Sequence, residues 1–384
     1  MKKLFRVLYG YIRQTDGWLW LLCLGLSGFS MLLLSGIVHS GVWAPYDYGL
    51  QTMRIVGVQF GATAVGVLCA LILSKFDYHA LTRLWKLHAP VAYAFVLLTF
   101  LIGIGAADRQ GDKSWIRIPF TSMTIQPAEF LKLSFILTLA YHLHVVSDVM
   151  DDPKTILALC VHGAAPILLI HMQGDDGTAL VFAFIFIGML FAAGIHWFYV
   201  LAAVGGSVIG IPLIWFFVLN DFQKQRFLIL FSPTAADTQG TYYQQYRAKL
   251  AIGSGQIWGK GIFSENHHYV PEAQNDFIFS FIGESLGFVG ALAVVLVLIS
   301  LVVKILSDAQ CAEDLQGRLI CVGVFSMIAA QSVINIGMCL SVLPVIGITL
   351  PFLSAGGSSV LASYLGLGLV LSVYMEAPKN LFSE

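Results

Sequence analysis

Three short polar constellations stand at the edges of long apolar runs, and each could do chemistry. In Pro271-Glu272-Ala273-Gln274-Asn275-Asp276-Phe277-Ile278-Phe279, Asp276 sits where a polar stretch of 55 residues gives way to an apolar run. A carboxylate so placed can cap a helix, or, partly desolvated, act as a general base or metal ligand. In Ile125-Gln126-Pro127-Ala128-Glu129-Phe130-Leu131-Lys132, the proline suits a first helical turn and Glu129 and Lys132 fall on one face at i, i+3. This pair either serves a site or braces helix packing. In Gln173-Gly174-Asp175-Asp176-Gly177-Thr178, a turn with an acidic helix start, Asp175 or Asp176 either caps the next helix or faces a site.

The elements that must position these groups follow from composition. Of 384 residues, 58% are hydrophobic and only 11% charged, with a mean hydropathy of +0.80. Soluble chains carry about one quarter charged residues. A bilayer core takes about 20 apolar residues per helix. The chain offers about ten such runs: 17–38, 53–73, 87–106, 125–146, 155–172, 178–193, 197–220, 277–304, 319–340 and 351–374. The expected fold is therefore an all-α polytopic membrane protein, one domain over 1–384, with a large extracellular loop at about 221–275 between the seventh and eighth helices. The basic start resembles a signal-peptide n-region, but its apolar run is too long and nine more follow, so the first helix is retained.

Inside such a chain, charges cost at least about 2.5 kcal/mol each and normally face protein or a water-filled cavity. The same reasoning applies to backbone. The segment 343–359 holds Pro344, Pro351 and the pair Gly356-Gly357, which break helix. Freed backbone groups are tolerated at membrane depth only when buried or lining a cavity, although small residues also permit close helix packing.

An even number of spans puts both termini on one side. Lys2, Lys3, Arg6, Arg13, Lys75, Arg83, Lys86, Lys154, Lys304, Arg318 and Lys379 then face the cytoplasm, slightly outnumbering Arg54, Arg109, Lys113, Arg117, Lys224, Arg226, Arg247, Lys249 and Lys260 outside. The outer cations gather in two loops, 107–124 and 221–275, where they either meet something anionic or are merely solvated or bound to lipid head groups. The second loop, rich in Tyr and Gln over 242–252, is expected to lie on the membrane surface as short amphipathic pieces that roof a cavity. Six cysteines (Cys23, Cys69, Cys160, Cys311, Cys321, Cys339) show no metal-ligand spacing, and a net charge of −1 gives no sign of a nucleic-acid partner.

Taken in order, Gln126-Pro127-Ala128-Glu129 with Lys132, Asp175 with Gly177-Thr178-Ala179, Ala251-Ile252-Gly253-Ser254-Gly255, Asp276-Phe277-Ile278-Phe279 and Pro351-Phe352-Leu353-Ser354-Ala355-Gly356-Gly357-Ser358-Ser359 resemble the SEDS family (shape, elongation, division and sporulation) of RodA, FtsW and SpoVE. The resemblance runs from Arg54 to Ser359 and leans to the RodA side through Asp221-Phe222-Gln223-Lys224-Gln225-Arg226 and Gly259-Lys260-Gly261. It implies ten spans in the bacterial plasma membrane and a peptidoglycan glycosyltransferase that polymerises lipid II into a nascent glycan beside a class B penicillin-binding protein. By the same resemblance Asp276 is the catalytic carboxylate, Glu129 and Lys132 a cavity pair, and Arg54, Gln223 and Arg226 polar lining, joined by Asp175 and by Trp115 of the second outer loop. The chain departs from the family at Ser114, where an Arg usually precedes the Trp, so that Lys113 or Arg117 would supply the charge. It departs also at Gly174 (usually Pro), at Glu284-Ser285 (usually two acids) and at Ala355 (usually Tyr).

The implied reaction joins an acceptor 4-hydroxyl to C1 of a muramic sugar whose leaving group is undecaprenyl pyrophosphate. It needs a base, the role given to Asp276, and cations for the departing pyrophosphate, the role open to Arg54, Lys113, Arg117, Lys132 and Arg226. Asp276 could also hold a divalent cation, Mg or Mn, against the pyrophosphate, though no ligand cluster in the sequence calls for one. Two rival readings stand beside this one: a lipid II flippase, for which no inverted repeat is visible, and a non-catalytic scaffold for the partner synthase. Elongation, division and sporulation roles are not separated by sequence.

Overall fold

The computed structural model describes residues 10–11, 14–42, 53–105, 113–119, 123–219, 221–231 and 242–377. Of the cations used to orient the chain, Lys2, Lys3, Arg6, Arg13, Arg109 and Lys379 lie outside these residues.

Each apolar run forms a helix: α1 (Gly17–Ser40), α2 (Arg54–Leu73), α4 (Trp85–Ile102), α5 (Pro127–Val145), α6 (Pro153–Met172), α7 (Asp176–Ala192), α8 (Trp197–Leu213), α11 (Ile278–Cys311), α12 (Leu315–Cys339) and α13 (Gly357–Glu376). Shorter helices α3 (Tyr78–Arg83), α9 (Asp221–Phe231) and α10 (Tyr243–Gly255) lie in connections, and a π-turn at Ile214–Val218 closes α8. Among the described residues, eight helices are long and apolar enough to cross a membrane by length and composition. The two that fall short are α7, with 17 residues, and α5, made less apolar by Glu129, Lys132, His142 and His144. The chain is thus an all-α polytopic membrane protein. A two-stranded hairpin of β1 (Ile116–Arg117) and β2 (Thr124–Ile125) is the local exception, with Ile116 opposite Ile125; its β-branched residues favour the extended chain.

Burial sorts the helices into layers. In α12 and α13, 78% of the most apolar window is buried, against none in α8. The central pair is rich in glycine and serine, which lets neighbours approach. A Cβ on Gly368 would lie 3.0 Å from the Ala70 Cα, and one on Gly66 of α2 would lie 2.9 Å from the Tyr364 ring.

Two expectations about boundaries change. The last span was expected to start at 351 with its prolines and glycines breaking the helix; the break extends to 356, α13 beginning at Gly357 and Phe352 adopting a left-handed φ of 62°. The reason is a set of side chains that bind the turn's own carbonyls: Ser30 Oγ donates to Leu353 O at 2.6 Å and Gln59 Nε2 to Ser354 O at 3.1 Å. Helix formation would remove those carbonyls from reach.

The outer loop also differs. One face of α10 packs into the bundle, burying Gln245, Ala248, Ala251 and Gly255. A Cβ on Gly255 would lie 2.1 Å from the Gly283 carbonyl, so α10 and α11 touch backbone to backbone. Just beyond, α11 breaks at Gly287, which has φ 67°, and the loop after α10 replaces the missing helical bonds. Lys260 N and Gly261 N donate to the carbonyls of Glu284 (3.0 Å) and Ser285 (2.8 Å), while Phe288 N and Val289 N donate to those of Gln256 (2.8 Å) and Ile257 (3.2 Å). This is how a broken apolar helix keeps its polar backbone satisfied. The buried Glu284 side chain holds the same loop, accepting from Lys260 Nζ at 2.7 Å and from His268 N at 2.9 Å.

Candidate functional site

Four helices begin at one end of the bundle, and their first turns converge on a cavity of about 580 Å³. Gln126 and Glu129 come from α5, Asp175 and Thr178 from α7, Asp276 from the approach to α11, and Gly356, Gly357 and Ser359 from the start of α13. Trp115, delivered by a bridge between Trp115 and Ile104 just before the hairpin, completes one wall.

The carboxylates are held differently from one another. Glu129, 4% exposed, pairs with Lys132, 1% exposed, at 2.8 Å; Lys132 stands behind the cavity wall rather than on it. Asp175 does both things that were open for it: it caps α7, accepting from Thr178 N at 2.9 Å, and lines the cavity, where it accepts from Gln126 Nε2 at 2.7 Å. Its neighbour Asp176 turns away, accepting from Gln223 Nε2 at 2.6 Å and meeting His171 Nδ1 at 2.6 Å.

Asp276 is not a helix cap, because the N-cap of α11 is Phe277. Its segment is fixed through the main chain. The Glu272 carbonyl accepts from Asn275 N and Phe277 N, and the Gln274 carbonyl from Ala355 N at 2.8 Å. The Asn275 carbonyl accepts from Ser354 Oγ at 2.6 Å, and the Asp276 carbonyl from Asn335 Nδ2 at 2.7 Å. Asn335, fully buried in α12, also donates to Ile348 O at 2.7 Å. Thus the 351–356 turn and one asparagine clamp the segment that presents Asp276, and Glu272 shares the cavity wall with a left-handed φ of 54°.

Of the residues expected at the site, Trp115, Glu129, Asp175 and Asp276 line the cavity; Arg54, Lys113, Arg117, Gln223 and Arg226 do not. Arg54, Lys113 and Arg117 are exposed. Gln223 and Arg226 fasten α9 across the rim, Gln223 to Asp176 and Arg226 Nη1 to Val345 O at 3.0 Å. Gln126 and Glu272 stand in the sequence motifs without a role of their own, and neither Gln331 nor Asn335 belongs to any motif. The last two could have been noticed as polar residues at i, i+4 within an apolar run, where unsatisfied amides are costly.

This order of motifs, gathered around one cavity, is matched by the model of the FtsW, RodA and SpoVE cell cycle proteins over residues 18–379. The chain belongs to that family. A probable peptidoglycan glycosyltransferase FtsW of Geobacter metallireducens is 30% identical, with 94% of this chain and 95% of the relative covered. The peptidoglycan glycosyltransferase MrdB of Escherichia coli is also 30% identical, with 90% and 92% covered. Among solved structures, a chain of a peptidoglycan synthase complex that coordinates polymerization and crosslinking superposes with a TM-score of 0.72 at 27% identity, covering 94% of this chain and 97% of that one. Within the family frame, the departure at Ala355 falls at a main-chain contact, since Ala355 N, not its side chain, reaches Gln274 O. At Glu284-Ser285 the departure is Ser285, and the acid that is kept, Glu284, supplies the carboxylate that pins Lys260.

Proposed function

We propose that this chain is a peptidoglycan glycosyltransferase that polymerises lipid II, working in the bacterial plasma membrane with both termini cytoplasmic. The observation that carries the reading is the clamped segment that presents Asp276 to a cavity ringed by four helix starts. Helix N-termini carry partial positive charge and unpaired N–H groups, so together they favour an anionic group such as a pyrophosphate. Asp276 is then the base that takes the proton of the acceptor 4-hydroxyl as it attacks C1. The exposed Arg54, Lys113 and Arg117 provide positive surroundings for the departing pyrophosphate, while Lys132, neutralised by Glu129 behind the wall, holds that carboxylate in place. Trp115, Asp175, Gln223 and Arg226 shape the wall and hold its rim.

Among the described residues no Lys or Arg lines the cavity, and its carboxylates Glu129, Asp175, Glu272 and Asp276 are oxygen donors of the kind a hard cation such as Mg or Mn takes. No three of them lie close enough together to form a ligand cluster, so Asp276 together with the pyrophosphate oxygens would have to hold such an ion. Once bound, such an ion would neutralise charge on the leaving group, with Asp276 among its holders. The lipid tail stays in hydrocarbon while the sugars occupy the cavity, which explains why the enzyme is embedded. The similarity to a synthase that couples polymerization with crosslinking supports a class B penicillin-binding protein as partner. The Asp221–Arg226 and Gly259–Gly261 sequence segments support the RodA side of the family.

The test is direct: purified protein, with and without its partner, is incubated with labelled lipid II and the products are resolved by size. A glycan ladder is expected; transbilayer movement of lipid II without a ladder would instead select the flippase reading. In the same assay, Asn335→Ala removes both clamping donors, stranding two buried carbonyls at roughly 1–3 kcal/mol each. Turnover should fall about tenfold or more through loss of alignment at Asp276, with Asn335→Ser, which keeps one donor, between the two.

A further inference from the structure

We propose that Gln331 is a substrate-binding residue of this cavity, its carboxamide N–H groups donating to the carbonyl oxygen of an acetamido group on the bound sugar. The inference rests on the lipid II reading and deepens it. Gln331 lies on α12 one turn before Asn335, is 2% exposed, and lines the cavity. The two ends of its amide differ. Oε1 is sealed inside the protein with no hydrogen-bond partner, so the nitrogen is the end that opens to the cavity. Among the described residues nothing accepts from that nitrogen.

An amide oxygen buried without a partner weakens the fold, and an apolar residue at 331 would avoid that loss. What an apolar residue would not supply is the donor that faces the cavity. Three other side-chain donors at the wall are already engaged: Gln126 Nε2 by Asp175 at 2.7 Å, Asn275 Nδ2 by Glu272 at 2.8 Å and Lys132 Nζ by Glu129 at 2.8 Å. The chemistry of the missing acceptor follows from the surroundings. An N–H group offers no lone pair, so a metal ion is excluded. A phosphate oxygen is drawn to the helix starts and to the exposed Arg54, Lys113 and Arg117. Gln331 lies instead within α12, in a wall whose charged members, among the described residues, are all carboxylates. A neutral acceptor suits that place, and the acetamido carbonyl, with two lone pairs on an amide oxygen, is the one an amino sugar carries.

Gln331→Met keeps the length of the side chain and removes the donor. Affinity is read by equilibrium titration of labelled lipid II against the detergent-solubilised full chain, which needs no turnover. Kd is expected to rise about tenfold, the factor that corresponds to roughly 1.4 kcal/mol. The substrate-free variant should have an unchanged or higher Tm, because a stranded oxygen is gone. A merely structural glutamine predicts the reverse, a lower Tm with Kd unchanged. A lipid II analogue with thioacetamido in place of the acetamido groups keeps the shape and the N–H of the ligand and weakens only its acceptor. Wild type should bind this analogue more weakly than lipid II, whereas Gln331→Met should bind the two alike. An equal loss in both proteins would move the acceptor to another group, such as a pyrophosphate oxygen, and overturn the proposal; an unchanged Kd, or a raised Kd with a fallen Tm, would also overturn it. Wild type that binds lipid II yet makes no glycan ladder would refute the polymerase reading alone, and wild type that binds no lipid II would overturn both, so the failures are distinguishable.

Discussion

Asp276→Ala and Asp276→Asn are both expected to abolish glycan polymerisation by the purified protein while folding and lipid II binding stay close to wild type. The expected loss is at least about 10²-fold, the low end for a missing general base. Folding should survive because the segment around Asp276 is held mainly by carbonyls, those of Glu272, Gln274, Asn275 and Asp276 itself, which either substitution leaves in place. Asn is the sharper variant: it keeps the shape and hydrogen-bonding capacity of the side chain and removes only its basicity. Measured turnover of Asp276→Asn within tenfold of wild type, in a ladder assay with matched protein amounts, would remove Asp276 from the role of base.

Lys132→Ala should be the most damaging change to both stability and activity. Its ammonium is the partner of a carboxylate buried beside the cavity, at 2.8 Å, and removing one member of a buried pair costs roughly 3–5 kcal/mol. Loss of activity alone would therefore be ambiguous. The double variant Glu129→Leu/Lys132→Met resolves it, because replacing both charges with apolar groups of similar size is often neutral or stabilising. We expect its Tm to recover while polymerisation stays below about a hundredth of wild type, because the wall has lost the Glu129 carboxylate that lines it and misplacement of a substrate can cost about 10²-fold. A double variant that is both stable and active would reduce the pair to a brace between helices.

The helices were legible because apolar runs of bilayer length leave few alternatives. Asp276, Glu129 and Asp175 were legible because a carboxylate at the end of such a run must be accounted for. Other parts were not. Gln223 and Arg226 look in sequence like site residues, yet they fasten α9 to Asp176 and Val345, since only the three-dimensional path of the loop fixes which groups come within about 3 Å. Asn335 and Gln331 are two amides one helical turn apart, and nothing in their spacing says that one clamps a main chain 59 residues away while the other faces the cavity.

The sequence by itself determined the membrane-embedded helical architecture and the acidic groups at one end of it, because hydropathy and the cost of buried charge act on each segment locally. The tertiary structure alone decided how the ends come together. The break at Gly287 filled by the loop after α10, the clamping of the 351–356 turn by Ser30 and Gln59, and the four helix starts around one cavity all depend on hydrogen bonds between segments far apart in the chain, and a local reading of residues carries no information about those partners.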